Sequence, residues 1–531
     1  MARTPLLQSI RRLARDAWAS RRTGVPVAEL REMRAAVSRR RFLAGTAVGA
    51  AALALPRAAR AAGPQPSIAI VGGGIAGLTC ALYLRDKGLA STVYEASGRL
   101  GGRMFTNTSY WGGQVSEWCG ELVDSGHKTV HNLCSRFHLT LDNLLNAELN
   151  GAEETYRFGG QYYPKAQADT DFLDMSDILG ADLAAAGYPT RFDRFTAAGR
   201  ELDLMSIHDW IETRVPGGHA SPLGQLLDVA YAIEYGADTR AQAALNLLYL
   251  LGYQANANSL SMFGVSDEKS HIQGGNQQLP LAIAAELGDA TVRTGHRLAA
   301  IRQTANGRYT LAFERAGSTI EVTSDYVVLA LPFAVLRTID TSKAGFSPRK
   351  LRAIDQLGRG HNGKLQLQFA QRGWVGTGPW SGKANGSSYS DTGYQASWEV
   401  TRAQPGAAGI LVLYSGGSVT DAMKTQSPFA TASDSLVVQD AQRGLAQLAP
   451  VYPGLSWNGR ATQSLTHKSP FFNASYSYYR VGQYTDFGGY EFTAEGGVHF
   501  CGEHTTQDFQ GYMEGGAITG KQAALDLIAR I

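Results

Sequence analysis

A glycine-rich turn between an apolar strand and a helix is the feature that most constrains this chain. Ile68 to Val71 form an unbroken apolar run, which is typical of a strand buried in a parallel sheet. Glycines then follow at G-x-G-x-x-G spacing, and Leu78 to Lys87 predict a helix that stops at Gly88. Such a turn brings backbone N–H groups and a helix N-terminus close to a phosphate. The pattern predicts an α/β fold that binds a phosphorylated ligand.

A second strand supplies the acid that a dinucleotide site needs. Ser91 to Tyr94 predict this strand, and Glu95 follows it about twenty residues after the glycines. That spacing places a carboxylate against a ribose 2′-hydroxyl. A lone glycine motif is a weak indicator, but strand, turn, helix and acid together predict a dinucleotide-binding domain. Its predicted cofactor-binding residues are Gly72, Gly74, Ala76 and Gly77. Gly72 is expected to allow the tight turn, Gly74 the approach of the pyrophosphate, and Gly77 the close packing of helix and strand.

The residues after Glu95 indicate which dinucleotide is bound. Arg99 to Arg103 read R-x-G-G-R, and this segment resembles the extended FAD-binding signature of the flavin monoamine oxidase family, part of the superfamily of flavin-containing amine oxidases and L-amino acid oxidases. Two glycines allow a close approach, and guanidinium groups neutralise phosphates. The resemblance implies FAD as the cofactor, with contacts from Glu95, Ala96, Arg99, Gly101, Gly102, Arg103, Gly120 and Glu121.

The C-terminal stretch FCGEHTTQDFQGYMEGG resembles the flavin motif of the monoamine oxidases. By that resemblance, Gly502 and Glu503 belong to the cofactor site, and Glu503 binds a ribityl hydroxyl. The backbone N–H near Met513 faces a flavin pyrimidine oxygen, at a helix N-terminus that favours negative charge on reduced flavin. Tyr512 forms one wall of an aromatic cage in front of the flavin ring.

A second tyrosine is needed for the opposite wall of the cage. Asn473 to Arg480 resembles the monoamine oxidase segment that carries this residue, which maps to Tyr476. Tyr478 and Tyr479 are the alternatives if the register differs. In the animal enzymes a cysteine just before the tyrosine bonds covalently to the flavin. Because Ser475 stands here instead, FAD is expected to bind noncovalently.

Gly363 to Gln366 resembles the strand whose lysine reaches the flavin N5 atom through a water, and that lysine maps to Lys364. A fixed cation at this position favours the oxidative half-reaction. The alternative is a solvated lysine on an edge strand. Lys364, Tyr476 and Tyr512 form the predicted catalytic set, and no Ser/His/Asp nucleophile set is expected.

These parts predict the oxidative deamination of a primary amine, either a monoamine or a polyamine. The products are an aldehyde, ammonia and hydrogen peroxide, with dioxygen as the expected acceptor. The substrate must enter as the free amine, because an ammonium has no lone pair to stabilise the developing imine. The flavin carries the difficult chemistry. His127 and His271 are candidates to reach the cavity, whereas His504 is expected to be structural.

The main alternative is an L-amino acid oxidase or dehydrogenase that forms a 2-keto acid. That branch of the superfamily needs an arginine for the substrate carboxylate, but Val123 stands at the corresponding position, which favours an amine. Arg480 is a candidate substitute for this arginine. Glu121 and Glu234 are candidate partners for the distal ammonium of a diamine or a basic amino acid. A flavin dehydrogenase that passes electrons to a quinone is a further alternative.

The resemblance implies a Rossmann-like FAD-binding domain in three discontinuous segments, with an inserted α+β substrate-binding domain. Within these segments, the pattern predicts helices in 226–251, 278–287 and 519–529. The expected boundaries are 1–61 for a twin-arginine-type signal, 62–129 for FAD segment 1, 130–260 for a mostly helical substrate-domain insertion, 261–345 for FAD segment 2, 346–466 for the substrate-domain sheet, and 467–531 for FAD segment 3 with the C-terminal motif.

The first 61 residues have the pattern of an export signal. They carry thirteen arginines and three acids, although the net charge of the whole chain is only +3. Ser38 to Leu43 are followed by an apolar run to Pro56 and a small-x-small site ending at Ala61. The pattern resembles a twin-arginine signal, which implies the twin-arginine export machinery as a partner and a periplasmic or secreted bacterial protein. An uncleaved basic tail that contacts membranes is the alternative.

The rest of the composition excludes other classes. Beyond the leader the chain is net acidic, so no nucleic-acid partner is expected. The four cysteines form no CxxC pair and no finger-like spacing, so neither a metal site nor a disulfide framework is predicted. A homodimer is left open.

Overall fold

This computed structural model describes residues 65–256 and 259–531, and both strands and helices occur along this part of the chain. The strands are β1 (Ile68–Val71), β2 (Thr92–Tyr94), β3 (Phe105–Asn107), β4 (Ser116–Cys119), β5 (Leu141–Asn143), β6 (Glu153–Phe158), β7 (Gln161–Tyr163), β8 (Ser270–Ile272), β9 (Val292–Arg293), β10 (Arg297–Gln303), β11 (Tyr309–Arg315), β12 (Ser318–Ser324), β13 (Tyr326–Leu329), β14 (Asp340–Lys343), β15 (Gly358–Arg359), β16 (Asn362–Phe369), β17 (Val375–Gly376), β18 (Ala384–Ser390), β19 (Ala396–Glu399), β20 (Gly409–Gly416), β21 (Phe429–Thr431), β22 (Trp457–Leu465), β23 (Ser477–Tyr478) and β24 (Val498–Phe500). The helices are α1 (Ile75–Asp86), α2 (Lys128–Arg136), α3 (Lys165–Ala186), α4 (Ala197–Leu204), α5 (Ile207–Arg214), α6 (Pro222–Tyr235), α7 (Ala244–Leu251), α8 (Gln278–Leu287), α9 (Phe333–Leu336), α10 (Pro348–Gln356), α11 (Ser418–Asp421), α12 (Ser435–Leu448), α13 (Gln483–Asp486) and α14 (Met513–Arg530). The predicted export signal over 1–61 lies outside the described residues.

A parallel sheet with the strand order β24-β13-β1-β2-β9 carries the glycine-rich turn. β1 lies at its centre and is buried along its whole length. Every pairing in this sheet is parallel, so the carboxyl ends of the strands meet at one edge, where such sheets bind ligands. Gly72 follows β1 there, Glu95 follows β2, Ala330 follows β13, and Gly502 comes shortly after β24. The prediction of an α/β fold with a Rossmann-like sheet is confirmed.

Helices α1 and α14 pack against each other through glycines of α14. A Cβ atom added to Gly520 would lie 2.1 Å from the carbonyl oxygen of Ala76 in α1, and one added to Gly516 would lie 2.8 Å from a methyl carbon of Ile75. Real Cβ contacts are longer, so only glycine permits this approach. The close packing brings the N-terminus of α14, with Met513, beside the N-terminus of α1.

A mixed nine-stranded sheet forms the second large element, with the strand order β21-β22-β16-β20-β19-β18-β6-β7 and β17 paired to β18. β16 is buried at all eight positions, because β20 and β22 flank it and both of its faces are covered. The strands β6 and β7 come from the segment 130–260, which was predicted to be mostly helical. That prediction missed this hairpin, which joins the sheet through the parallel pairing of β6 with β18.

The helical stretch predicted over 226–251 is divided into two helices. Ser221 caps α6 by accepting a hydrogen bond from the Gly224 N–H at 3.1 Å. Gly236 ends the helix with φ 65°, in the left-handed region that favours glycine. The last turn of α6 therefore carries Glu234. The helix predicted over 278–287 is confirmed as α8, and the predicted C-terminal helix begins earlier, at Met513.

All four cysteines of the chain are free thiols, namely Cys80, Cys119, Cys134 and Cys501. Among the helices of 65–256 and 259–531, none combines the length and the apolar character that a bilayer span requires.

The contact between α1 and α14 predicts a stability difference between two helical glycines. We expect Gly520→Ala to lower the free energy of unfolding by about 1–3 kcal/mol, because the new methyl group overlaps backbone atoms of α1. Gly180→Ala in α3 is the matched control, because no atom lies within 4 Å of a Cβ added there. The control should be neutral or stabilising by up to about 1 kcal/mol. Thermal unfolding of both variants checks this, and equal melting temperatures would contradict the packing argument.

Candidate active site

A cavity of about 1240 Å³ connects the glycine-rich turn with the C-terminal motif. The predicted site residues that line it are Gly72, Gly74, Ala76, Glu95, Arg99, Gly101, Gly102, Arg103, Gly120, Glu121, Lys364, Tyr476, Gly502, Glu503, Tyr512 and Met513. Gly77 and Ala96 are not part of the wall. Gly77 lies beneath the turn, where a Cβ atom would be 2.1 Å from the Gly72 carbonyl oxygen, so its role is close packing. The fold thus gathers residues more than 400 positions apart around one space.

The backbone at the carboxyl ends of β1 and β2 forms a cradle at one end of this cavity. Gly72 has φ +114°, and an added Cβ would lie 2.6 Å from the carbonyl oxygen of Ala330, so no other residue fits. The Glu95 carboxylate accepts hydrogen bonds from the N–H of Gly73 at 2.7 Å and of Ser97 at 2.8 Å. These bonds hold the acid beside the N-terminus of α1. An open cradle with an acid and a helix N-terminus fits a dinucleotide.

The two arginines of the R-x-G-G-R segment make different contacts. Arg103 donates through Nη1 to the Glu503 carboxylate at 3.0 Å and to the Ser475 carbonyl oxygen at 2.6 Å. The Arg99 guanidinium lies 3.9 Å from the centre of the Phe105 ring. Both guanidinium groups border the cavity. Arg103 therefore joins the first predicted FAD segment to the last, in addition to its expected place near the phosphates.

Glu503 is a buried carboxylate that gathers several donors. It accepts hydrogen bonds from the Ser477 hydroxyl and the Gly511 N–H, both at 2.9 Å, besides the Arg103 guanidinium. Burial opposes ionisation, but the Arg103 charge and these donors outweigh it and hold the pKa of Glu503 below its usual range. Because the folded pKa is lowered, this pair stabilises the folded chain at neutral pH. That contribution is lost as the pH falls through the lowered pKa.

The two predicted cage tyrosines both border the cavity. The Tyr476 hydroxyl donates to the Ile233 carbonyl oxygen at 2.9 Å and lies 3.1 Å from the Tyr414 hydroxyl. Its ring is 3.7 Å from the position of a Cβ on Gly511, directly before Tyr512. The alternatives Tyr478 and Tyr479 are buried away from the cavity wall.

His127 supports Tyr512 from the side away from the cavity. The two ring centroids are 5.3 Å apart in an edge-to-face arrangement, and His127 is buried without lining the cavity. His271 does not line it either, because its Nε2 atom is hydrogen-bonded to Glu117 at 2.8 Å. The predictions that these two histidines reach the cavity are wrong. His504 packs against Phe333, with ring centroids 4.4 Å apart.

Lys364 lies in the buried centre of β16 and forms an ion pair with Glu121. The other carboxylate oxygen of Glu121 accepts a hydrogen bond from the Trp398 indole at 3.0 Å. A solvated lysine on an edge strand is therefore excluded. Glu121 is occupied by these two partners, which removes it as an obvious partner for a substrate ammonium.

Arg480 is exposed on the surface, and its backbone N–H is bonded to Gln483 at 2.9 Å. Since it does not line the cavity, the prediction that it replaces the missing carboxylate-binding arginine is wrong. The cause is its position next to β23, which turns it away from Tyr476.

Several carboxyl groups that border the cavity form no ion pair with a basic side chain of residues 65–256 and 259–531. Burial raises the pKa of Glu234 to about 7, and Tyr512 is 3.4 Å away as its hydrogen-bond donor. Burial and neighbouring acids raise the pKa of Glu268 well above its usual value. Burial likewise raises the pKa of Glu154, which accepts a hydrogen bond from Tyr156. A site that concentrates unpaired acids favours a cationic ligand.

The basic side chains of the cavity wall are already engaged. Arg402 pairs with Glu148, Lys165 with Asp169, and Lys364 with Glu121. The remaining two are Arg99 and Arg103, which lie at the dinucleotide end. Within 65–256 and 259–531, the wall therefore offers no unoccupied cation to a substrate carboxylate.

Sequence reasoning missed Trp398 and Tyr414 as members of the site. Tyr414 lies on β20, which pairs with β16, and contacts Tyr476. Trp398 lies on β19, on the other side of β20, and its indole donates a hydrogen bond to Glu121. An alternating strand pattern was visible, but the register that brings these rings to Lys364 is decided only by the strand pairing.

Comparison with known proteins agrees with this geometry. Residues 75–528 match the family described as Flavin containing amine oxidoreductase. Polyamine oxidase 6 of Oryza sativa subsp. japonica is 23% identical, over 87% of this chain and 91% of that protein. An L-amino-acid oxidase of Siganus canaliculatus is 23% identical, over 82% of this chain and 81% of that protein. A solved structure of a redesigned putrescine oxidase has a TM-score of 0.72 at 20% identity, over 88% of this chain and 99% of that chain.

Because the match spans most of its length, the chain belongs to the flavin containing amine oxidoreductase family. It is an FAD-dependent oxidoreductase that acts on CH–NH₂ donors. The relatives include both polyamine and amino acid oxidases, so the comparisons leave the substrate open.

The Arg103–Glu503 pair predicts a linked loss of cofactor and stability. We expect Arg103→Ala to purify with little FAD and to unfold at a lower temperature. Removing one partner of a buried pair leaves the other charge unpaired, at a cost of up to about 3–5 kcal/mol. Arg85→Ala is the control, because Arg85 pairs with Glu286 on the surface and such pairs contribute less than about 1 kcal/mol. The absorbance ratio of flavin to protein and the melting temperature are measured. A fully yellow Arg103→Ala protein would contradict the assignment.

Proposed function

We propose that this protein is an oxidase of primary amines that carry a second ammonium group, namely diamines or polyamines. The observation that carries the proposal is the pairing of charges in the cavity. Within the described residues, acids such as Glu234, Glu268 and Glu154 form no ion pair with a basic side chain, while each cation outside the dinucleotide end is paired. A distal ammonium would supply the partner with which such an acid can ionise. An amino acid would bring a carboxylate into the same space, where the described wall has no free cation to pair with it.

In this proposal each group of residues has a distinct task. Tyr476 and Tyr512 orient the reacting amine between their rings and exclude water from it. Glu234 lies next to the Tyr512 hydroxyl and binds the distal ammonium. It thereby determines which amine of the substrate reacts. FAD would be held by the segment from Gly72 to Arg103 and by Glu503, and it would supply the two-electron oxidation of the C–N bond, with dioxygen as the expected acceptor.

The overall reaction balances with water and dioxygen. R–CH₂–NH₂, O₂ and H₂O give R–CHO, NH₃ and H₂O₂, with the C–N bond broken by hydrolysis of the imine. Lys364 is proposed to act in the oxidative half-reaction, where a fixed cation favours reduction of oxygen. Ser475, at the position of the cysteine in the animal enzymes, supports noncovalent binding of FAD.

The test is an anaerobic reduction with substrate pairs that differ in one group. We expect 1,5-diaminopentane to bleach the flavin absorbance faster than L-lysine, which adds only a carboxylate, and 1,4-diaminobutane to bleach it faster than butylamine, which lacks the second amine. Admitting air should then restore the absorbance and release peroxide. Faster reduction by L-lysine would establish the amino acid alternative, and slow recovery in air would indicate a quinone-linked dehydrogenase.

Glu234 predicts a dependence on pH that only diamines show. Because burial raises its pKa to about 7, the carboxylate forms as the pH rises through this value, while the distal ammonium stays protonated up to about pH 10. The ratio of kcat/KM for 1,4-diaminobutane to that for butylamine should therefore rise between about pH 6 and 8. In Glu234→Gln the ratio should stay flat and be lower by about tenfold or more, the value of a charge-assisted hydrogen bond. An unchanged ratio in the variant would exclude Glu234 as the ammonium partner.

We also propose that the protein is exported after folding, as the arginine-rich leader resembles a twin-arginine signal. Folding before export suits a chain that must enclose FAD first. The support is the sequence pattern of residues 1–61 alone.

A further inference from the structure

Three neighbouring strands of the nine-stranded sheet end close to a small cluster of metal-ligand side chains. His361 directly precedes β16, His467 follows β22, and Asp421 closes α11 shortly after β20. β16 pairs antiparallel with β22, with Gly363 opposite Leu465. His361 and His467 lie two residues beyond this pair, with His467 in the 3₁₀ turn Thr466–Lys468 that follows β22, so both come to the same end of the two strands.

The side chains of this cluster face one another. The two imidazole rings are stacked with centroids 4.5 Å apart and an angle of 16° between their planes, so one ring must turn about its Cβ–Cγ bond for both to point a nitrogen at the same ion. The Nδ1 atom of His361 lies 2.7 Å from a carboxylate oxygen of Asp421. One ligand atom from each of the three residues lies within 4.8 Å of the other two.

Two further observations show that the cluster is both fixed in place and incompletely satisfied. The backbone of His361 is held on both sides, since its N–H donates to Gly236 at 2.7 Å and its carbonyl oxygen accepts from Gly417 at 3.0 Å. The Nδ1 atom of His467 is buried and has no hydrogen-bond partner. Buried polar atoms in folded proteins usually have a hydrogen-bond partner, and a metal ion would satisfy this nitrogen instead.

We propose that His361, Asp421 and His467 bind a divalent transition-metal ion, with zinc as the ion that the ligands suit. Two imidazoles and one carboxylate are borderline ligands that favour zinc over magnesium or calcium, which prefer oxygen. Asp421 is exposed, so water completes a tetrahedral site from the solvent side. The ion would lie beside the ends of β16, β20 and β22. The neighbouring residues Asn362 and Thr466 line the cavity, whereas the three proposed ligands do not. This inference does not depend on the proposed substrate.

A second stacked histidine pair provides a matched comparison. His208 and His219 have ring centroids 4.1 Å apart at an angle of 20°. The Nδ1 atom of His219 is 2.8 Å from Glu212, whereas its Nε2 atom lies 3.5 Å from Asp228 and, like the Nδ1 atom of His467, is buried without a hydrogen-bond partner. This pair does not bring three ligand atoms within mutual reach, in contrast to the first cluster.

The experiment uses the FAD-loaded chain without a histidine tag, stripped with EDTA and desalted. Zinc sulfate is titrated by calorimetry and in competition with a chromophoric chelator, and cobalt chloride is added separately to record visible absorption beyond the flavin bands. We expect one zinc per chain, a cobalt spectrum of tetrahedral type, and a higher melting temperature with zinc, because an ion that binds only the folded state stabilises it. Each of these should disappear or weaken in His467→Ala.

The variants decide the assignment. His467→Ala and Asp421→Asn should each lower zinc affinity by about tenfold or more, since loss of even an outer-shell partner lowers affinity by about 10–100-fold. Asp421→Asn guards against misfolding, because the side chain is exposed and nearly isosteric. His219→Ala should bind zinc as the unchanged chain does. The proposal is overturned if the stripped protein takes up no zinc, if both cluster variants bind it normally, or if His219→Ala alone loses it.

Discussion

The ion pair between Arg103 and Glu503 holds together the parts of the active site. The two residues are 400 positions apart, and their contact also reaches the Ser475 carbonyl oxygen, the Ser477 hydroxyl and the Gly511 N–H. Ser475 and Ser477 flank Tyr476, and Gly511 precedes Tyr512. One buried carboxylate and one guanidinium therefore set the spacing of the two cage tyrosines. Such a pair is stable only while its remaining donors and acceptors are satisfied, and the Glu503 carboxylate has the Ser477 and Gly511 donors besides Arg103.

The distribution of charge along the cavity follows a simple rule. At the dinucleotide end, Arg99 and Arg103 offer positive charge to phosphates. Toward the substrate end, each cation of the wall is neutralised by its own acid, as in the pairs of Lys364 with Glu121 and Arg402 with Glu148. What remains there are carboxyl groups whose burial raises their pKa values. Such a distribution favours a ligand that carries positive charge.

Patterns that act over a short stretch of chain were predicted well. The strand, turn and helix around Gly72 and Gly74, the second strand before Glu95, and the helix over 278–287 follow from local rules of apolar periodicity and glycine placement. Predictions that depended on distant neighbours were weaker. Arg480 lies near Tyr476 in sequence, yet it is exposed, and the hairpin of β6 and β7 was hidden inside a stretch of helical pattern. The difference arises because local sequence determines backbone preference, whereas the partner of a side chain depends on packing.

The sequence by itself predicted the dinucleotide-binding fold, because glycine spacing and an acid at the end of a strand are conditions that backbone geometry imposes within about thirty residues. FAD and the family were inferred from the resemblance of the R-x-G-G-R segment and the C-terminal motif to the flavin monoamine oxidases. The tertiary structure alone decided the rest. It placed Trp398 and Tyr414 beside Lys364, paired Lys364 with Glu121 and left Glu234 without a basic partner. It also brought His361 and His467, which are about a hundred residues apart in the chain, together at one end of the antiparallel strands β16 and β22. Strand register and the pairing of buried charges are properties of the assembled sheet, and no local stretch of sequence contains them.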